Sequence, residues 1–280
     1  MKLGVIYPQF ELGGDPAAVR TFGLTLEEEG FDYISAYDHV LGAEHADRDP
    51  PLTGPYTEKD PFHDPLMMFA YLAGMTSRLE MASGIMILPQ RQTALVAKQA
   101  LDLALFSDDR FRLGIGTGWN WVEYEALGID FKSRGARLDD QVEMMRKLWT
   151  GEVVSHAGPF ESFERASLVM KPRKPIQIWM GGFSDRAFRR AARTGDGFMF
   201  GSAKHWDRLR VFLEEEGRPV SEFGRELMLG HPISAQEMAD EAKRWRDDGH
   251  THACIGTLFR GFTELEQHLE FAFEVKRLVG

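Results

Sequence analysis

The sequence is short of several features that would direct it to particular partners or compartments. Cys254 is the single cysteine among 280 residues, so a disulfide within the chain is excluded. The N-terminal segment MKLGVIYPQF lacks the long apolar stretch of a signal peptide, and no run is long enough to cross a bilayer. The net charge is -10 and no block of lysine or arginine stands out. We therefore expect a soluble cytoplasmic protein that binds neither nucleic acid nor anionic membranes.

Short apolar runs alternate along the chain with stretches of helical periodicity. No hairpin turn joins the runs, which is typical of strands buried on both faces of a parallel sheet. Asp15-Pro16 and Asp64-Pro65 combine an N-cap residue with a first-turn proline and indicate helix starts. The apolar runs are Leu3 to Tyr7, Tyr33 to Tyr37, Met81 to Leu88, Phe111 to Thr117, Ile176 to Met180, Gly197 to Phe200, Leu227 to Ile233 and Ala253 to Leu258.

Eight strand–helix units in a chain of this length predict one α/β domain over residues 1–280, folded as a (β/α)8 TIM barrel. A doubly wound parallel sheet is the alternative. Two segments, 41–63 and 151–174, are too long for simple connections, so we expect long loops after the second strand and before the fifth. The first of these follows a strand directly, which predicts a lid on the catalytic rim of the barrel.

The segment FRLGIGTGWNWVEYEALG places glycines at 114, 116 and 118. It is not a dinucleotide-binding fingerprint, because a tryptophan occupies the position of the third glycine whichever glycine the count starts from. Glycines at the end of a strand instead let backbone amides approach a ligand closely. Thr117 and Gly118 then offer a hydroxyl and an amide, and Trp119 and Trp121 wall a flat ligand. A tight turn with tryptophans packed on neighbouring helices is the alternative.

Glycines at two further places also indicate that the backbone approaches a ligand closely. Gly181 and Gly182 end the fifth run and Ser184 opens a helix, an arrangement typical of anion sites. Together with the fourth run, it predicts a phosphorylated ligand across two adjacent strands. Ser83-Gly84 interrupts the third run, which indicates a bulge or a close backbone approach to a ligand. Room for a large neighbouring side chain is the alternative there.

Several longer motifs follow one another along the chain: YDHVLG, SGIMILPQR, RFRLGIGTGWNWVEYEALG, RGARLDDQVEMMRKLW and PIQIWMGGFSDRAFRRAARTGDGF. Taken in order, they resemble the luciferase-like monooxygenase superfamily, most closely its coenzyme F420-dependent oxidoreductases. The resemblance runs from residue 1 to about residue 201 and more loosely to the end. It implies a barrel that binds coenzyme F420, an 8-hydroxy-5-deazaflavin, or alternatively FMN at its C-terminal rim, with F420 favoured.

The same resemblance implies where the cofactor lies. The third strand of such proteins carries a bulge with a non-prolyl cis peptide under the central ring, and the phosphate lies against the loop after strand four and the helix after strand five. The glucose-6-phosphate-type deazaflavin dehydrogenases have a glutamate where this chain has Trp119, so the resemblance does not imply that activity. The expected cofactor contacts are Ser83, Gly84, Ile85, Thr117, Gly118, Trp119, Asn120, Gly181, Gly182, Phe183 and Ser184.

Asp38 and His39 end the second run, on the rim where barrel enzymes place their catalytic groups. Histidine exchanges protons near neutral pH, so His39 is a candidate acid or base for a substrate oxygen or nitrogen. Asp38 would orient it or bind polar groups of the ligand; a capping aspartate beside a surface histidine is the alternative. The histidines and acids of 41–63 lack the spacing of a metal motif, so no metal site is predicted.

The sequence therefore predicts an oxidoreductase that transfers hydride between a deazaflavin and a small organic substrate. An FMN-dependent monooxygenase using O2 on the same barrel is an alternative. A Schiff-base lyase using Lys204, after the sixth run, and a cofactor-binding protein without activity also stay open. The apolar helix faces around Leu138 and Leu269 pack on the barrel or form a homodimer.

Overall fold

The computed structural model describes residues 1–230 and 233–280, and strands and helices alternate through that part of the chain. The strands are β1 (Lys2–Ile6), β2 (Tyr33–Ala36), β3 (Glu80–Ser83), β4 (Met86–Ile87), β5 (Phe111–Gly116), β6 (Val154–Ala157), β7 (Ser162–Ala166), β8 (Ile178–Gly181), β9 (Gly197–Phe200), β10 (Gly224–Leu229) and β11 (His252–Ile255). The α-helices are α1 (Pro16–Glu28), α2 (Pro65–Ala73), α3 (Thr93–Phe106), α4 (Trp121–Ala126), α5 (Arg134–Thr150), α6 (Asp185–Thr194), α7 (Trp206–Glu215), α8 (Ala235–Asp247) and α9 (Leu265–Val279).

The parallel strands close into a barrel. β1 pairs with β2 and β11, and the sheet continues from β11 through β10, β9 and β8 to β5. Pairing of β5 with β3 completes the circle, and β4 extends the barrel position that β3 begins. The predicted (β/α)8 barrel is confirmed, and the doubly wound sheet is wrong because an open sheet leaves two edges unpaired.

The helix starts follow from local sequence chemistry. The Asp15 carboxylate accepts a hydrogen bond from the Ala17 amide at 2.9 Å, and Asp64 does the same for Leu66 at 2.9 Å. In both helices the next residue is a proline, whose missing N–H costs nothing in the first turn. None of the helices in the described ranges is long and apolar enough to cross a membrane.

Two helix faces that the sequence leaves open pack inside the chain. Leu138 on α5 and Leu269 on α9 are 2% and 7% exposed and belong to the main hydrophobic core. Burial of these faces against the barrel stabilises the fold in proportion to the apolar area removed from water. A homodimer stays a prediction, and these two faces do not supply its interface.

The seventh strand begins earlier than its apolar run predicts. The run was Leu227 to Ile233, of which residues 231–232 lie outside the described part, and the strand is Gly224–Leu229. Its added residues include Glu226, which is fully buried and paired with Arg112 inside the barrel. The Arg112 guanidinium lies 4.1 Å from the Trp179 ring centroid. A charged strand residue is stable there because its counter-ion comes from across the barrel.

The segment 151–174 is not simply a long loop. It contains the antiparallel hairpin β6–β7, held to α5 by the buried pair of His156 and Asp140, whose Nε2 and Oδ1 atoms are 2.8 Å apart. Both strands of this hairpin lie between the fourth and fifth apolar runs, so it does not join any of the eight runs to another. In contrast, 41–63 forms neither helix nor strand, as the sequence predicts.

Candidate active site

A cleft of about 530 Å³ opens at the carboxyl ends of the barrel strands. It brings together the glycines that follow β3, β5 and β8, which the sequence predicts to meet around one flat ligand. The lining residues are Tyr37, Asp38, His39, Pro55, Tyr56, Gly84, Ile85, Ile87, Thr117, Gly118, Trp119, Leu138, Met180, Gly181, Gly182, Phe183, Ser184, Ala187, Arg190, Met199, Gly201, Met228 and Gly230.

The floor of the cleft is the interruption between β3 and β4. The peptide bond between Gly84 and Ile85 is cis, as the resemblance implies. A Cβ atom on Gly116 would lie 1.9 Å from Ile85 Cδ1, and one on Gly181 would lie 2.9 Å from Ile85 Cγ2. Glycines in β5 and β8 therefore make room for the Ile85 side chain, which lies at the floor of the cleft.

Two of the expected cofactor residues, Ser83 and Asn120, do not line the cleft. The Ser83 hydroxyl donates to the Gly114 carbonyl at 2.8 Å and accepts from the Gly114 amide at 3.0 Å. Asn120 is 2% exposed and caps α4 by accepting from the Val122 amide at 3.1 Å. Both side chains support the walls of the cleft from behind.

The remaining predicted contacts at β5 and β8, apart from Trp119, form one end of the cleft, here called the phosphate end. Thr117 and Gly118 come from the loop after β5, and Gly182 and Ser184 precede α6. The two glycines have φ angles of +62° and +146°, conformations that side chains rarely allow. Ser184 is the N-cap of α6, so first-turn amides without a helical acceptor lie at this end. Phe183, between Gly182 and Ser184, also lines this end, and its side chain is 77% exposed.

His39 lies at the other end of the cleft, held by a residue that the sequence did not identify. Its Nδ1 is 3.2 Å from Oε1 of Glu123. A carboxylate only accepts, so Nδ1 carries the proton and Nε2 is left to exchange a proton with a ligand. The His39 ring packs against Tyr56 and Trp119, with centroid separations of 5.1 and 5.6 Å. Trp119 therefore lines the cleft, where the sequence predicts it to wall a ligand, whereas Trp121 does not line the cleft.

Glu123 is 1% exposed and accepts several hydrogen bonds. Its donors include the Val40 amide at 2.8 Å, the Leu41 amide at 3.2 Å and Gln90 Nε2 at 3.0 Å. Burial acts to raise the pKa of Glu123, but the hydrogen bonds and the charge of His39 outweigh it and lower that pKa. An ionised carboxylate therefore fixes the histidine and the start of the segment 41–63.

Asp38 serves a different partner from the one expected. Its Oδ1 accepts from Arg91 Nη2 at 2.7 Å and its Oδ2 accepts from the Ile87 amide at 2.9 Å, while Arg91 Nη1 donates to Asp64 at 2.8 Å. Burial raises the pKa of Asp38 and the Arg91 guanidinium opposes that rise. Both oxygens of Asp38 are occupied, so this residue joins β2 to β4, and the carboxylate that orients His39 is that of another residue.

Aromatic rings cover the His39 end, and we call this set the aromatic cover: Phe10, Tyr56, Phe62, Trp119 and Phe259. Tyr56 is central, with centroid separations of 5.4 Å to Phe10, 4.9 Å to Phe62 and 6.0 Å to Phe259. Two of its members belong to the segment 41–63, which therefore lies over the cleft as a predicted lid would.

Other candidate groups lie elsewhere. Lys204 is exposed and outside the cleft, whereas a Schiff-base lysine needs a desolvated setting. Cys254 is fully buried, and burial raises the pKa of its thiol. Within residues 1–230 and 233–280, no three potential metal ligands of the His, Cys, Asp or Glu type come together.

Comparison with known proteins gives a family and several relatives of this chain. The sequence pattern of the luciferase-like monooxygenase family matches residues 1–276. An uncharacterized protein of Mycobacterium tuberculosis is 35% identical over 241 residues, which is 82% of this chain and 81% of that protein. The F420-dependent glucose-6-phosphate dehydrogenase of Kineococcus radiotolerans is 26% identical over 244 residues, 82% of this chain and 68% of the enzyme.

A solved structure shows the same fold. The F420-dependent secondary alcohol dehydrogenase, in complex with an F420–acetone adduct, superimposes with a TM-score of 0.81. The alignment covers 100% of this chain and 99% of that protein at 16% identity. The barrel is therefore shared along its whole length although few residues are.

Proposed function

Because the chain belongs to the luciferase-like monooxygenase family, we propose that it is an oxidoreductase that transfers hydride between coenzyme F420 and a small organic substrate. The observation that carries the proposal is the single cleft that joins the Ile85 floor, the phosphate end and His39. A flat cofactor with a phosphate and a substrate beside its ring needs these three features in one place.

The cleft fits such a cofactor. A side chain on Gly118 or Gly182 would be strained by the positive φ, so the phosphate end is a backbone cradle that only glycine permits. Thr117, Gly118, Gly182 and Ser184 would hold the phosphate, and Ile85 would lie under the ring. When bound, the deazaflavin supplies a carbon that accepts or releases hydride.

The residues of this chain would then accept and return the substrate's proton. When an alcohol is oxidised, its carbon loses a hydride and its oxygen loses a proton, and a carbonyl group remains. His39 Nε2 would take that proton, because Glu123 holds the ring through Nδ1. The aromatic cover would exclude water from the same space. In the reverse direction His39 returns the proton to the carbonyl oxygen.

The charges around the cleft favour an uncharged substrate. Of the described lining residues, the charged or titratable acids and bases apart from tyrosine are Asp38, His39 and Arg190. The first is paired with Arg91, and the last is paired with Asp139 at the phosphate end. The His39 end therefore offers no cation to a substrate phosphate, and we do not extend the glucose-6-phosphate activity of the relatives to this protein.

The names of the sequence relatives favour F420 over FMN, and FMN with O2 stays the competing cofactor chemistry. Cofactor binding without turnover is the remaining alternative. The cytoplasmic location, the homodimer and the small-molecule substrate are likewise part of this proposal. F420 chemistry, FMN chemistry and binding without turnover each give a different result when the purified protein is titrated and assayed.

The first test is a fluorescence titration with F420 and, separately, with FMN. We expect tighter binding of F420, and Ser184→Ala and Thr117→Ala should each weaken it on the order of 10-fold, because a hydrogen bond to a charged group is lost. Arg189→Ala, on the outer face of α6 and paired with Glu215, is the matched control and should bind normally. Tighter binding of FMN, or unchanged affinity in both site variants, would contradict the proposal.

The second test supplies the F420-loaded protein with uncharged secondary alcohols and with glucose 6-phosphate. Reduction of the cofactor should appear only with the uncharged alcohols, and it is measured as loss of the absorbance of the oxidised deazaflavin. Turnover with the sugar phosphate would show that the cleft contains a phosphate site beyond the cofactor's own. An absence of turnover across a broad substrate panel would favour the binding protein.

A further inference from the structure

The space around His39 is enclosed by aromatic rings. Tyr37, Tyr56 and Trp119 line the cleft at this end. The centroid of the Tyr56 ring lies 5.1 Å from that of His39 and 6.2 Å from that of Tyr37, and the Trp119 centroid lies 5.6 Å from that of His39. A substrate whose oxygen reaches His39 Nε2 would therefore place its neighbouring carbons among these three rings.

Contacts from outside the cleft hold two of these rings in place. Phe62 packs against Tyr56 at a centroid separation of 4.9 Å, and Phe259 stacks on Tyr56 at 6.0 Å with an interplanar angle of 22°. The Gly54 backbone lies so close to Trp119 that a Cβ atom there would be 2.3 Å from Trp119 Cη2. Rings that are already fixed lose little conformational entropy when a ligand binds, so they form a preorganised surface.

The acidic groups at this end are not free to bind a sugar. Both oxygens of Asp38 are occupied, by Arg91 and by the Ile87 amide, and Glu123 is buried behind His39 with its own donors. Among the described lining residues of this end, the polar side-chain atoms left over belong to the imidazole, the indole and the two tyrosine hydroxyls. Burying several substrate hydroxyl groups here without new hydrogen bonds would cost free energy, which disfavours a polyhydroxylated substrate.

We propose that the substrate carries an aromatic ring directly beside the carbon that exchanges hydride, as in an aryl alcohol or the corresponding aryl ketone. The inference rests on the proposed function and deepens it. The carbinol carbon would give a hydride to the deazaflavin and the hydroxyl group a proton to His39, which leaves the ketone. Aromatic rings pack on one another in offset or edge-to-face arrangements, so the three rings around His39 favour a flat ring over a saturated one of the same size.

The first comparison supplies the F420-loaded protein with 1-phenylethanol and with 1-cyclohexylethanol. The two alcohols have the same carbon skeleton, and only one has a flat aromatic ring. We expect kcat/KM to be higher for 1-phenylethanol. Because the aromatic ring also changes the reactivity of the alcohol, affinity is measured separately with benzamide and cyclohexanecarboxamide, which are uncharged and do not react. Benzamide should inhibit with an inhibition constant lower on the order of 5-fold, the size of effect that aromatic pairs add to area burial.

Substitutions then assign the preference to the rings. Tyr56→Leu and Trp119→Leu should each reduce the preference for benzamide to about 2-fold or less, because a ring is lost, whereas Tyr56→Phe should keep it. Tyr71→Leu is the matched control, since Tyr71 lies on α2 outside the cleft with 46% of its surface exposed. That variant should behave like the wild type with both amides and both alcohols.

Equal inhibition by the two amides in the wild type would overturn this inference and leave the proposed function intact, since hydride would still reach F420. A preference that survives unchanged in both Tyr56→Leu and Trp119→Leu would also overturn it, because the rings would then not be its source. If neither these alcohols nor 2-propanol reduces bound F420, the proposed function is refuted and this inference with it.

Discussion

At the scale of single residues, the chemistry depends on a histidine whose partner is distant in sequence. His39 and Glu123 are 84 positions apart, yet Glu123 binds both the imidazole and the backbone that follows it. One carboxylate thus sets the tautomer of the histidine and the path of the loop. Glu123 orients His39 in the way that buried acids orient catalytic histidines in general.

Replacing His39 with Asn should remove the proton acceptor and leave the phosphate end unchanged. We expect kcat to fall about 10²- to 10⁴-fold with little change in F420 affinity. Steady-state kinetics and a cofactor titration on the same preparation measure both quantities. A kcat within a few-fold of the wild type would show that another group moves the proton.

The sequence places His39 correctly because its position depends only on the end of a strand. It does not identify Glu123, which is the third residue of a short helix and has no local feature that separates it from a surface glutamate. It also gives Asp38 a role beside His39, whereas Arg91 occupies that carboxylate. Partners of charged groups are set by tertiary contacts, and periodicity contains no information about them.

At the scale of elements, the interruption between β3 and β4 determines the shape of the cleft. Ile85 leaves the regular strand and lies against the glycines of β5 and β8. Gly114 serves the same purpose lower in the barrel, where a Cβ would lie 1.9 Å from the Ser83 carbonyl oxygen. The alternating glycines therefore accommodate the bulged neighbouring strand, and only Gly118 of the three borders the phosphate end.

The substitution Gly116→Ala tests this account. Its methyl group would overlap the Ile85 side chain, so we expect a loss of about 1–3 kcal/mol in the free energy of unfolding and weaker F420 binding. Urea unfolding and a cofactor titration measure the two effects. Gly74→Ala, at the end of α2 with its nearest atom 3.9 Å away, should change stability by less than about 0.5 kcal/mol. Similar losses in the two variants would argue against a specific overlap.

At the scale of the whole molecule, the barrel buries ionisable groups that resist protonation. His268 is fully buried and His250 is 6% exposed. Burial lowers the pKa of each from 6.5 to about 4, and the charge of Arg225 contributes at His250. Both histidines are therefore neutral in the folded protein at a pH where the unfolded chain already binds protons.

The free energy of unfolding should fall as the pH decreases from about 6.5 to about 4. The unfolded state takes up protons in that range and the folded state does not, so each histidine contributes up to about 1.4 kcal/mol per pH unit. Urea unfolding across this range measures the slope. His268→Gln should reduce it relative to the wild type; parallel slopes would mean that this histidine is protonated in the folded protein.

The assignment of residues 1–280 to one domain stays a prediction, as do the homodimer and the cytoplasmic location. The barrel itself is confirmed, since the eight apolar runs all become barrel strands. Their bounds shift by a few residues where a charged residue joins the strand, as Glu226 does.

The sequence by itself determined the barrel, the helix starts at Asp15 and Asp64, and the rim on which His39 lies. Each of these follows from neighbouring residues: apolar periodicity, a capping carboxylate, or the end of a strand. Tertiary structure alone decided that Glu123 holds His39, that Arg91 occupies Asp38 and that the hairpin β6–β7 forms within 151–174. These depend on contacts between residues far apart in the chain, which exist only once the barrel has closed.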